Sequence, residues 1–397
     1  MKVLFVNSVC GIGSTGRICT DLSAVLEEQA DEAKIAYGRD AFVPKQFQKF
    51  GVRIGSDRDV KVHAVMSRLF DNHGFYSSGA TKTFLNWIQI YNPDIIHLHN
   101  IHGYYLNIEV LFDFLKKWDK PIVWTLHDAW PFTGHCVYFD YVGCYKWKTQ
   151  CEHCPQKKTY PASILLDRSR VSYRRKRIIF TGVKKLYIVT PSVWLAHCVG
   201  ESFLSEYKIT VINNGIDTEV FKPKKNNLRV KNSIGNKKIV LGISMGWPPH
   251  KHLDYMIKLA NDLGRDYQVV LLGLSKEQMN DIPNNIIGFQ KTRNVDELVE
   301  WYSAADVYVN PTMEDNYPTV NLEAQACGTP VVTFNSGGSA ECIKEGYGII
   351  VERGNYQELL EATIKACKIK GSAPIPHITS KKEFASNYLK LYRSILI

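Results

Sequence analysis

Short apolar runs alternate with helix-length segments along this chain, and the whole alternation occurs twice. In the first half the runs occupy residues 2–8, 33–37, 94–100, 121–128 and 186–192. Such alternation is typical of an open parallel sheet with helices on both faces. The pattern therefore predicts a doubly wound, Rossmann-like α/β domain over residues 1–212.

The pattern restarts after the turn-rich segment 212–227. Further apolar runs occupy residues 237–246, 267–273, 306–310, 330–334 and 348–351, with a helix expected from about His252 to Leu263. A length of 397 residues exceeds what one compact core usually holds. We therefore predict an interdomain linker at 213–236 and a second doubly wound domain at 237–370.

The last segment, 371–397, is predicted to be a linker rich in Gly and Pro followed by a helix. Ser380 and Glu383 have the spacing of a capping box at the start of that helix. We expect the helix to cross back onto the first domain. Because open parallel sheets bind ligands beyond the carboxyl ends of their strands, two such domains facing each other would place a site in the cleft between them.

Composition indicates the cellular compartment of the protein but does not identify its binding partner. The net charge of +10 fits nucleic acid, an anionic membrane, a phosphorylated ligand or a well-solvated surface. The chain contains no apolar run of about 18 to 20 residues, and the first run breaks at Asn7 before any signal-peptide pattern. The ten cysteines of this long chain include several in apolar contexts. These features predict a cytoplasmic protein in a reducing compartment.

The stretch VNSVCGIGSTGRI (6–18) has the glycine spacing G-x-G-x-x-G directly after the first apolar run. A dinucleotide site also needs an acidic residue at the end of the second strand, but that strand ends at Tyr37 and is followed by Gly38 and Arg39. Arg39 could face a 2′-phosphate, which leaves an NADP-dependent enzyme open. The backbone N–H groups of the loop would suit any pyrophosphate.

The segment MEDNYPTVNLEAQACGTPVV (313–332) separates Asp315 from Glu323 by seven residues. Pro318 suits the first turn of a helix and Gly328 suits its C-cap. Glu323 would then lie on an apolar helix, where a buried acid needs a partner. A salt-bridged structural glutamate is the alternative to a functional one.

Three motifs in order resemble those of the family-4 glycosyltransferases of the two-domain GT-B fold, in particular bacterial members from polysaccharide clusters. INNGIDTEVFKP (212–223) resembles the interdomain motif, residues 310–332 the E-x7-E region, and SGGSAE (336–341) the glycine turn that follows. The resemblance covers nearly the whole chain. It implies metal-independent transfer of a sugar from a nucleotide-sugar donor, such as a UDP- or GDP-sugar, with retention of anomeric configuration.

The resemblance also implies roles for individual residues. Glu323 would hold the nucleotide ribose, Asp315 would lie beside the donor sugar, and Lys251 would bind the diphosphate. The family's first acid is a glutamate, so either Asp315 or its neighbour Glu314 could reach the sugar. The further donor contacts would come from Asn316, Tyr317, Thr319 and Val320, and from Gly13 and Ser14 of the glycine loop.

Besides Asp315, a second position departs from the family pattern. The arginine that accompanies the diphosphate lysine is missing from MGWPPH (245–250), where His250 would replace its charge only when protonated. The two departures leave open a non-catalytic member that binds nucleotide-sugar. An NADP oxidoreductase and a sugar-nucleotide epimerase also remain alternatives.

His127 in TLHD (125–128) matches the family's cleft histidine, which contacts the sugar or the incoming hydroxyl. A histidine at a strand end is otherwise more often structural. His97 and His99 would line the cleft or lie in the core.

Four cysteines fall within nineteen residues and end in a C-x2-C pair. In a reducing cytosol this pattern favours a structural zinc site, with unpaired thiols or a disulfide as alternatives. The residues are Cys136, Cys144, Cys151 and Cys154.

The segment 167–186 concentrates basic residues around Ile178, Ile179 and Phe180. We expect it to bind an anionic membrane surface, the inner face of the plasma membrane, because acceptors in the resembled family are often lipid-linked. A solvated helix face is the alternative, and no nucleic-acid motif supports nucleic acid as a partner. The predicted function is sugar transfer to a glycan or lipid-linked glycan in bacterial surface polysaccharide synthesis.

Overall fold

A computed structural model describes residues 1–372 and 374–396 of the chain. The chain forms two compact units, Met1–Ile212 with Ala385–Ile397, and Asn213–Phe384. Ala373 and Ile397, which belong to the predicted segment 371–397, lie outside the described residues.

The first unit is built on a seven-stranded parallel sheet in the order β3-β2-β1-β4-β5-β6-β7. Its central strands are buried on both faces, as continuous apolar runs require. The strands are β1 (Lys2–Val6), β2 (Glu32–Tyr37), β3 (Gly51–Arg53), β4 (Ile95–Leu98), β5 (Ile122–Thr125), β6 (Leu186–Thr190) and β7 (Lys208–Val211).

The connection between β2 and β3 contains the 3-10 helix Lys45–Phe50, and the other connections between these parallel strands contain α-helices. They are α1 (Gly13–Glu28), α2 (Asp57–Phe70), α3 (Ser78–Tyr91), α4 (Ile108–Leu115), α5 (Ser169–Phe180) and α6 (Val193–Gly200). Between β5 and α5 the chain has a long irregular connection whose described residues contain one short 3-10 helix, Lys146–Lys148.

The second unit is built on a six-stranded parallel sheet in the order β10-β9-β8-β11-β12-β13. The strands are β8 (Lys238–Ile243), β9 (Tyr267–Leu272), β10 (Ile286–Phe289), β11 (Val307–Asn310), β12 (Val331–Phe334) and β13 (Gly348–Val351). The helices are α7 (Leu228–Lys231), α8 (Leu253–Asp262), α9 (Lys276–Asp281), α10 (Val295–Ala304), α11 (Thr319–Ala326) and α12 (Tyr356–Ala366).

The final helix, α13 (Lys381–Ile395), begins in the second unit, and its residues from Ala385 onward belong to the first. Its start is the predicted capping box, because the Glu383 carboxylate accepts the Ser380 N–H at 2.7 Å and the Ser380 hydroxyl accepts the Glu383 N–H at 3.2 Å. In the first unit, Tyr388 and Tyr392 of this helix are buried.

The predicted linker at 213–236 needs correction. These residues belong to the second compact unit, where they contain α7. Leu228 and Ile234 are buried in the core of that unit, because they pack with the face of the sheet that α10 and α11 also cover. The segment therefore behaves as part of the domain.

Candidate functional site

The predicted cation and the first predicted acid of the second unit form an ion pair. Lys251 ends a 3-10 turn, Pro249–Lys251, between β8 and α8. Its Nζ donates to Asp315 Oδ2 at 2.6 Å, and both side chains are only partly exposed, 15% and 22%. The pairing holds a positive and a negative group at the carboxyl ends of β8 and β11, where parallel sheets bind ligands.

The backbone of the loop after β11 is held on two sides. The N–H of Met313 donates to the carbonyl of His250 at 2.7 Å, and the N–H of Gly338 donates to the carbonyl of Asp315 at 2.8 Å. Gly337 has φ +54°, and a Cβ there would lie 2.2 Å from the Asp315 carbonyl oxygen. Any larger residue would displace Asp315, so the glycine turn positions the acid.

The two neighbouring acids have different environments. Glu314 is 1% exposed, and the hydroxyl of Thr312 donates to its backbone carbonyl at 2.9 Å. Asp315, by contrast, is accessible and faces Lys251. Of the two residues that the sequence left open, Asp315 has the exposed carboxylate. Asn316 and Tyr317, the next two residues, are buried.

Helix α11 begins directly after this loop. Pro318 takes the N-cap position, one residue before the predicted first turn, and among the described residues no side chain caps the helix start. Thr319 and Val320 are half-buried and supply the first backbone N–H groups of the helix. Uncapped N–H groups and the helix dipole together favour an anion at this end.

Glu323 lies on the second turn of α11 and is half-buried rather than buried as predicted. Its Oε2 accepts a hydrogen bond from the buried Tyr302 hydroxyl at 3.0 Å. Burial, and then the charge of Glu323, hold the pKa of Tyr302 well above its usual value. The pKa of Tyr308 on β11 is also raised well above its usual value, mainly by burial and further by the charges of Glu323 and Asp315. Both acids therefore lie close to the Tyr308 ring.

His250 does not replace the missing arginine. Burial, and then the charge of the adjacent Lys251, lower its pKa to about 4. The imidazole is therefore neutral near neutral pH and supplies no positive charge to an anion.

A buried polar network fixes the rear of α11 against the glycine turn. Asn321 accepts from the Asn310 amide at 2.9 Å and donates to Ser339, whose hydroxyl hydrogen-bonds Thr333 at 2.8 Å. Satisfied buried networks of this kind impose one arrangement on the elements they join.

In the first unit, the glycine loop makes a tight turn into α1. The Gly11 N–H donates to the Gly16 carbonyl at 3.2 Å, and Gly11 has φ +71° with the Phe47 ring against it. Gly13 and Ser14 are exposed at the start of the helix, and no described side chain caps that start. The start of α1 thus has backbone N–H groups that no described side chain caps, a feature that favours an anion.

The three predicted histidines of the first unit have different positions. His97 is a core residue, because its Nδ1 bonds the Tyr392 hydroxyl at 2.6 Å and its Nε2 bonds the Thr125 hydroxyl at 2.7 Å. His99 is buried and its Nδ1 bonds His127 Nε2 at 2.9 Å. His127 is half-buried, and burial lowers its pKa to about 4. His127 is therefore the one of the three that is accessible at the strand end, in its neutral form.

A neighbouring polar cluster was not selected from the sequence. His102 Nε2 bonds Asp128 Oδ2 at 2.8 Å and its Nδ1 bonds the Tyr160 hydroxyl at 3.1 Å, while the Arg39 guanidinium lies 5.6 Å from the centre of the Tyr160 ring. Asp128 follows His127 directly in TLHD, which was the available signal. Tyr160 comes from the long connection before α5, and no local pattern announces its position.

Only part of the basic segment 167–186 is exposed at the protein surface. Ile179, Phe180 and Lys176 are buried, because they lie on the face of α5 that packs on the sheet. Ile178 and Val171 are exposed, 71% and 50%. The predicted apolar centre is thus smaller than expected, although Ile164, Leu165 and Leu166 add exposed apolar surface just before the helix.

None of the helices in the described part of the chain combines the length and apolar character needed to cross a membrane.

Comparison with known proteins places the chain in a family. Residues 15–220, just over half of the chain, match the family described as Glycosyltransferase Family 4. Residues 224–381 match the family described as Glycosyl transferases group 1. Neither is a family of nucleotide-dependent oxidoreductases or epimerases.

Individual relatives agree with this assignment. The chain is 28% identical over 280 residues to the putative colanic acid biosynthesis glycosyl transferase WcaC of Escherichia coli K12, covering 68% of this chain and 66% of that protein. It is 28% identical over 189 residues to the Escherichia coli UDP-Gal:alpha-D-GlcNAc-diphosphoundecaprenol alpha-1,3-galactosyltransferase, covering 42% of this chain and 47% of the relative. The chain thus matches from about half to just under two thirds of the length of these relatives.

Solved structures share the fold at low identity. A glycosyltransferase of Rickettsia africae superposes with a TM-score of 0.64 at 17% identity, covering 100% of this chain and 98% of the other. Anabaena Alr3699/HepE, solved in complex with UDP and glucose, gives 0.66 at 15% identity over 99% and 100% of the two chains. With two Rossmann-like units of the GT-B type and the family's sequence pattern over more than half its length, the chain belongs to glycosyltransferase family 4.

Proposed function

We propose that this chain transfers a sugar from a nucleotide-sugar donor to a glycan or lipid-linked glycan acceptor, with retention of anomeric configuration, in bacterial surface polysaccharide synthesis. The observation that carries the proposal is the Lys251–Asp315 pair beside the open start of α11. A cation and uncapped backbone N–H groups next to an accessible acid suit a diphosphate bonded to a sugar.

In the proposed reaction the bond between the anomeric carbon and the donor's phosphate oxygen breaks while the acceptor hydroxyl forms a new bond on the same face. The hydroxyl proton passes to the departing phosphate oxygen, so no added base is required. Negative charge grows on the leaving diphosphate, where Lys251 and the N–H groups of Thr319 and Val320 would stabilise it. Asp315 would then lie beside the donor sugar. Its ion pair with Lys251 compensates both charges before the donor binds.

Glu323 is proposed to hold the ribose of the nucleotide. Its Oε2 is oriented by the Tyr302 hydroxyl, and the carboxylate retains capacity to accept further hydrogen bonds. The related HepE structure holds UDP and glucose, which makes UDP-sugars the first donors to test. Asn316 and Tyr317, being buried, would shape the donor pocket rather than offer freely accessible side chains.

The acceptor is proposed to meet the first unit. His127, neutral and half-buried, would hydrogen-bond the sugar or the incoming hydroxyl, and Gly13 with Ser14 would present backbone N–H groups. The galactosyltransferase relative is named for a diphosphoundecaprenol-linked acceptor and WcaC for colanic acid biosynthesis. A lipid-linked oligosaccharide is therefore the acceptor class to test first.

The test is a thermal-shift screen of UDP-, GDP- and CMP-sugars, followed by product analysis with the best donor and lipid-linked acceptors. We expect stabilisation by one nucleotide class and a product whose anomeric configuration, read by NMR, equals that of the donor. Activity should persist without added divalent metal. An inverted product would overturn the mechanism, and donor binding without transfer to any acceptor would favour the non-catalytic alternative.

We further propose a cytoplasmic protein that binds the inner face of the plasma membrane through the exposed part of α5 and the residues before it. Arg170, Arg174 and Arg177 are exposed on this surface together with Val171 and Ile178. Each basic residue near an anionic surface contributes about 1 kcal/mol, and salt screens the attraction. Binding should therefore require anionic vesicles and decline with salt; equal binding to neutral vesicles contradicts it.

A further inference from the structure

The four clustered cysteines meet around one small cavity in the first unit. Cys136, Cys144, Cys151 and Cys154 all line a space of about 10 Å³, within the long connection between β5 and α5. This volume is close to that of one water-sized sphere. The structure thus brings together residues that the chain separates by up to eighteen positions.

Backbone N–H groups point at two of the sulfur atoms. The Gly134 N–H donates to Cys151 Sγ at 3.2 Å, and the backbone of Gln156 hydrogen-bonds the Cys154 thiol. The thiols of Cys136 and Cys154 also hydrogen-bond each other. N–H donors aimed at sulfur favour thiolates, which are the form that binds metals.

Two further buried polar side chains, His135 and Lys176, lie at the cluster. His135 lines the same cavity and is 3% exposed; its Nδ1 bonds Asp71 at 2.6 Å, but its Nε2 has no hydrogen-bond partner among residues 1–372 and 374–396. Lys176 is 1% exposed; its Nζ donates to the backbone carbonyls of Trp130 and Thr133 and lies 3.5 Å from the centre of the Trp130 ring.

Lys176 lies close enough to Cys136 and Cys151 to interact with them electrostatically. A buried cation is costly unless an opposite charge compensates it. The carboxylates of Asp128 and Asp71 already act on Lys176 as negative charges, and thiolates in the cluster would add to them.

We propose that Cys136, Cys144, Cys151 and Cys154 bind a structural zinc ion as thiolates, with Lys176 as the buried counter-charge and His135 packed outside the ligand sphere. Four thiols and Zn²⁺ give a tetrathiolate of net charge −2 and four protons released to solvent, with no change of oxidation state. Lys176 compensates half of that charge.

The thiols must turn toward a common point for this to occur. In the described part of the chain, no three His, Cys, Asp or Glu side chains are already arranged as a metal-binding group. Rotation of the cysteine side chains around the small cavity would bring the four sulfur atoms around one zinc ion. Metal binding would supply the free energy for that ordering.

The site goes beyond the proposed sugar transfer and explains an architectural feature. The connection from residue 126 to residue 168 has, among its described residues, one short 3-10 helix and otherwise irregular backbone. It carries Asp128 and Tyr160 of the polar cluster that includes His102. Metal binding would order this irregular connection and the side chains it carries.

The experiment measures zinc in the full-length chain expressed in zinc-supplemented medium. We expect one zinc per chain by elemental analysis and, from X-ray absorption of the wild-type protein, four sulfur ligands at about 2.3 Å. Cys144→Ser and Cys154→Ser should lose at least nine-tenths of the metal. Cys198→Ser, a buried cysteine of the same unit outside the cluster, should keep it.

Variants of the two neighbouring side chains sharpen the assignment. Lys176→Met should weaken zinc binding at least several-fold in competition with a chromogenic chelator, while His135→Gln should still hold one zinc per chain. A nitrogen ligand in the absorption spectrum overturns the tetrathiolate. A folded, zinc-free wild-type protein overturns the site altogether, whether its four thiols are free or joined in disulfides. These readouts are independent of sugar transfer.

Discussion

The two units arrange their candidate functional groups differently. In the second unit the candidate groups are charged and paired. Lys251 forms an ion pair with Asp315, and Glu323 accepts a hydrogen bond from the Tyr302 hydroxyl. In the first unit the strand ends carry histidines that burial keeps neutral, His97, His99 and His127. The predicted site residues of the second unit therefore include charged groups, whereas the predicted histidines of the first unit are uncharged.

This difference matches the division of labour we propose. A departing diphosphate gains negative charge during the reaction and benefits from a fixed cation and a helix N-terminus. An acceptor hydroxyl is neutral and needs only orientation, because the departing phosphate takes its proton. Changes in the second unit should therefore affect chemistry most, and changes in the first unit should mainly affect orientation and stability.

The largest effect is expected for Lys251→Met. Removing an electrostatic donor to a developing charge typically lowers kcat about a hundredfold to a thousandfold. The variant also leaves the Asp315 carboxylate without its cation, so donor affinity should fall as well. Steady-state kinetics with saturating acceptor would measure both quantities.

Two controls separate the causes. Lys258→Met removes an exposed lysine from the neighbouring helix α8 and should leave kcat unchanged. Comparison of Asp315→Asn with the double variant Lys251→Met/Asp315→Asn measures the effect of removing the lysine when no unpaired acid is left. If Lys251→Met raised only the Michaelis constant, the lysine would be a binding residue and the start of α11 would carry the charge stabilisation.

A smaller effect is expected for Glu323→Ala. A hydrogen bond to a charged acceptor is worth about 1.5 to 3 kcal/mol, so nucleotide affinity should fall roughly tenfold to a hundredfold for each ribose bond lost. Calorimetry with the free nucleoside diphosphate would measure it. Glu361→Gln, an exposed acid on α12, should bind as wild type. Unchanged affinity in a folded Glu323 variant would remove this residue from the site.

The sequence predicted the folds of the units well because burial on both faces leaves a simple signature. Strands such as β4 and β5 are buried along their whole length, and their apolar runs stand out from the helices between them. The short edge strands β3, β7 and β10 were missed. They are half-exposed and carry mixed residues, so their position depends on pairing with neighbouring strands.

Candidate site residues could be selected from the sequence where they lie close together along the chain. Asp315, Glu323 and the glycine turn lie within one segment, whereas the partner of Glu323 is Tyr302, twenty-one residues away on α10. A tyrosine on an amphipathic helix looks like a core residue. Similarly, the neutrality of His250 depends on burial and on Lys251, which the sequence alone does not reveal.

Acidification should distinguish the units. Burial lowers the pKa of His63 to about 3 and of His127 to about 4, against about 6.5 in an unfolded chain, and burial also lowers those of His73, His97 and His99. As pH falls below about 6.5 the unfolded first unit binds protons that the folded unit does not, so its unfolding free energy decreases, by about 1.4 kcal/mol for each unit of pKa shift traversed.

Hydrogen exchange followed by mass spectrometry at pH 7 and pH 5, corrected for intrinsic exchange rates, would report the two units separately. The first unit should lose more protection than the second, in which burial lowers the pKa of His250 to about 4. His63→Gln should reduce the loss in the first unit. Equal losses in both units would contradict the contrast between charged and neutral sites.

The smallest effect is expected for Tyr392→Phe, which tests what holds His97 in the core of the first unit. The hydroxyl of Tyr392 is the partner of His97 Nδ1, and Thr125 is the partner of Nε2. Without the hydroxyl, a buried ring nitrogen is left unsatisfied, at a cost of about 1 to 3 kcal/mol in unfolding free energy.

Tyr356→Phe in the second unit is the matched control, because its hydroxyl bonds Asp262 at the surface, where water can replace it. Denaturant unfolding of both variants would measure the difference, while nucleotide affinity should stay at the wild-type value in each. If Tyr392→Phe were as stable as the control, the position of His97 would depend on packing and on its bond to Thr125 and not on the Tyr392 hydroxyl.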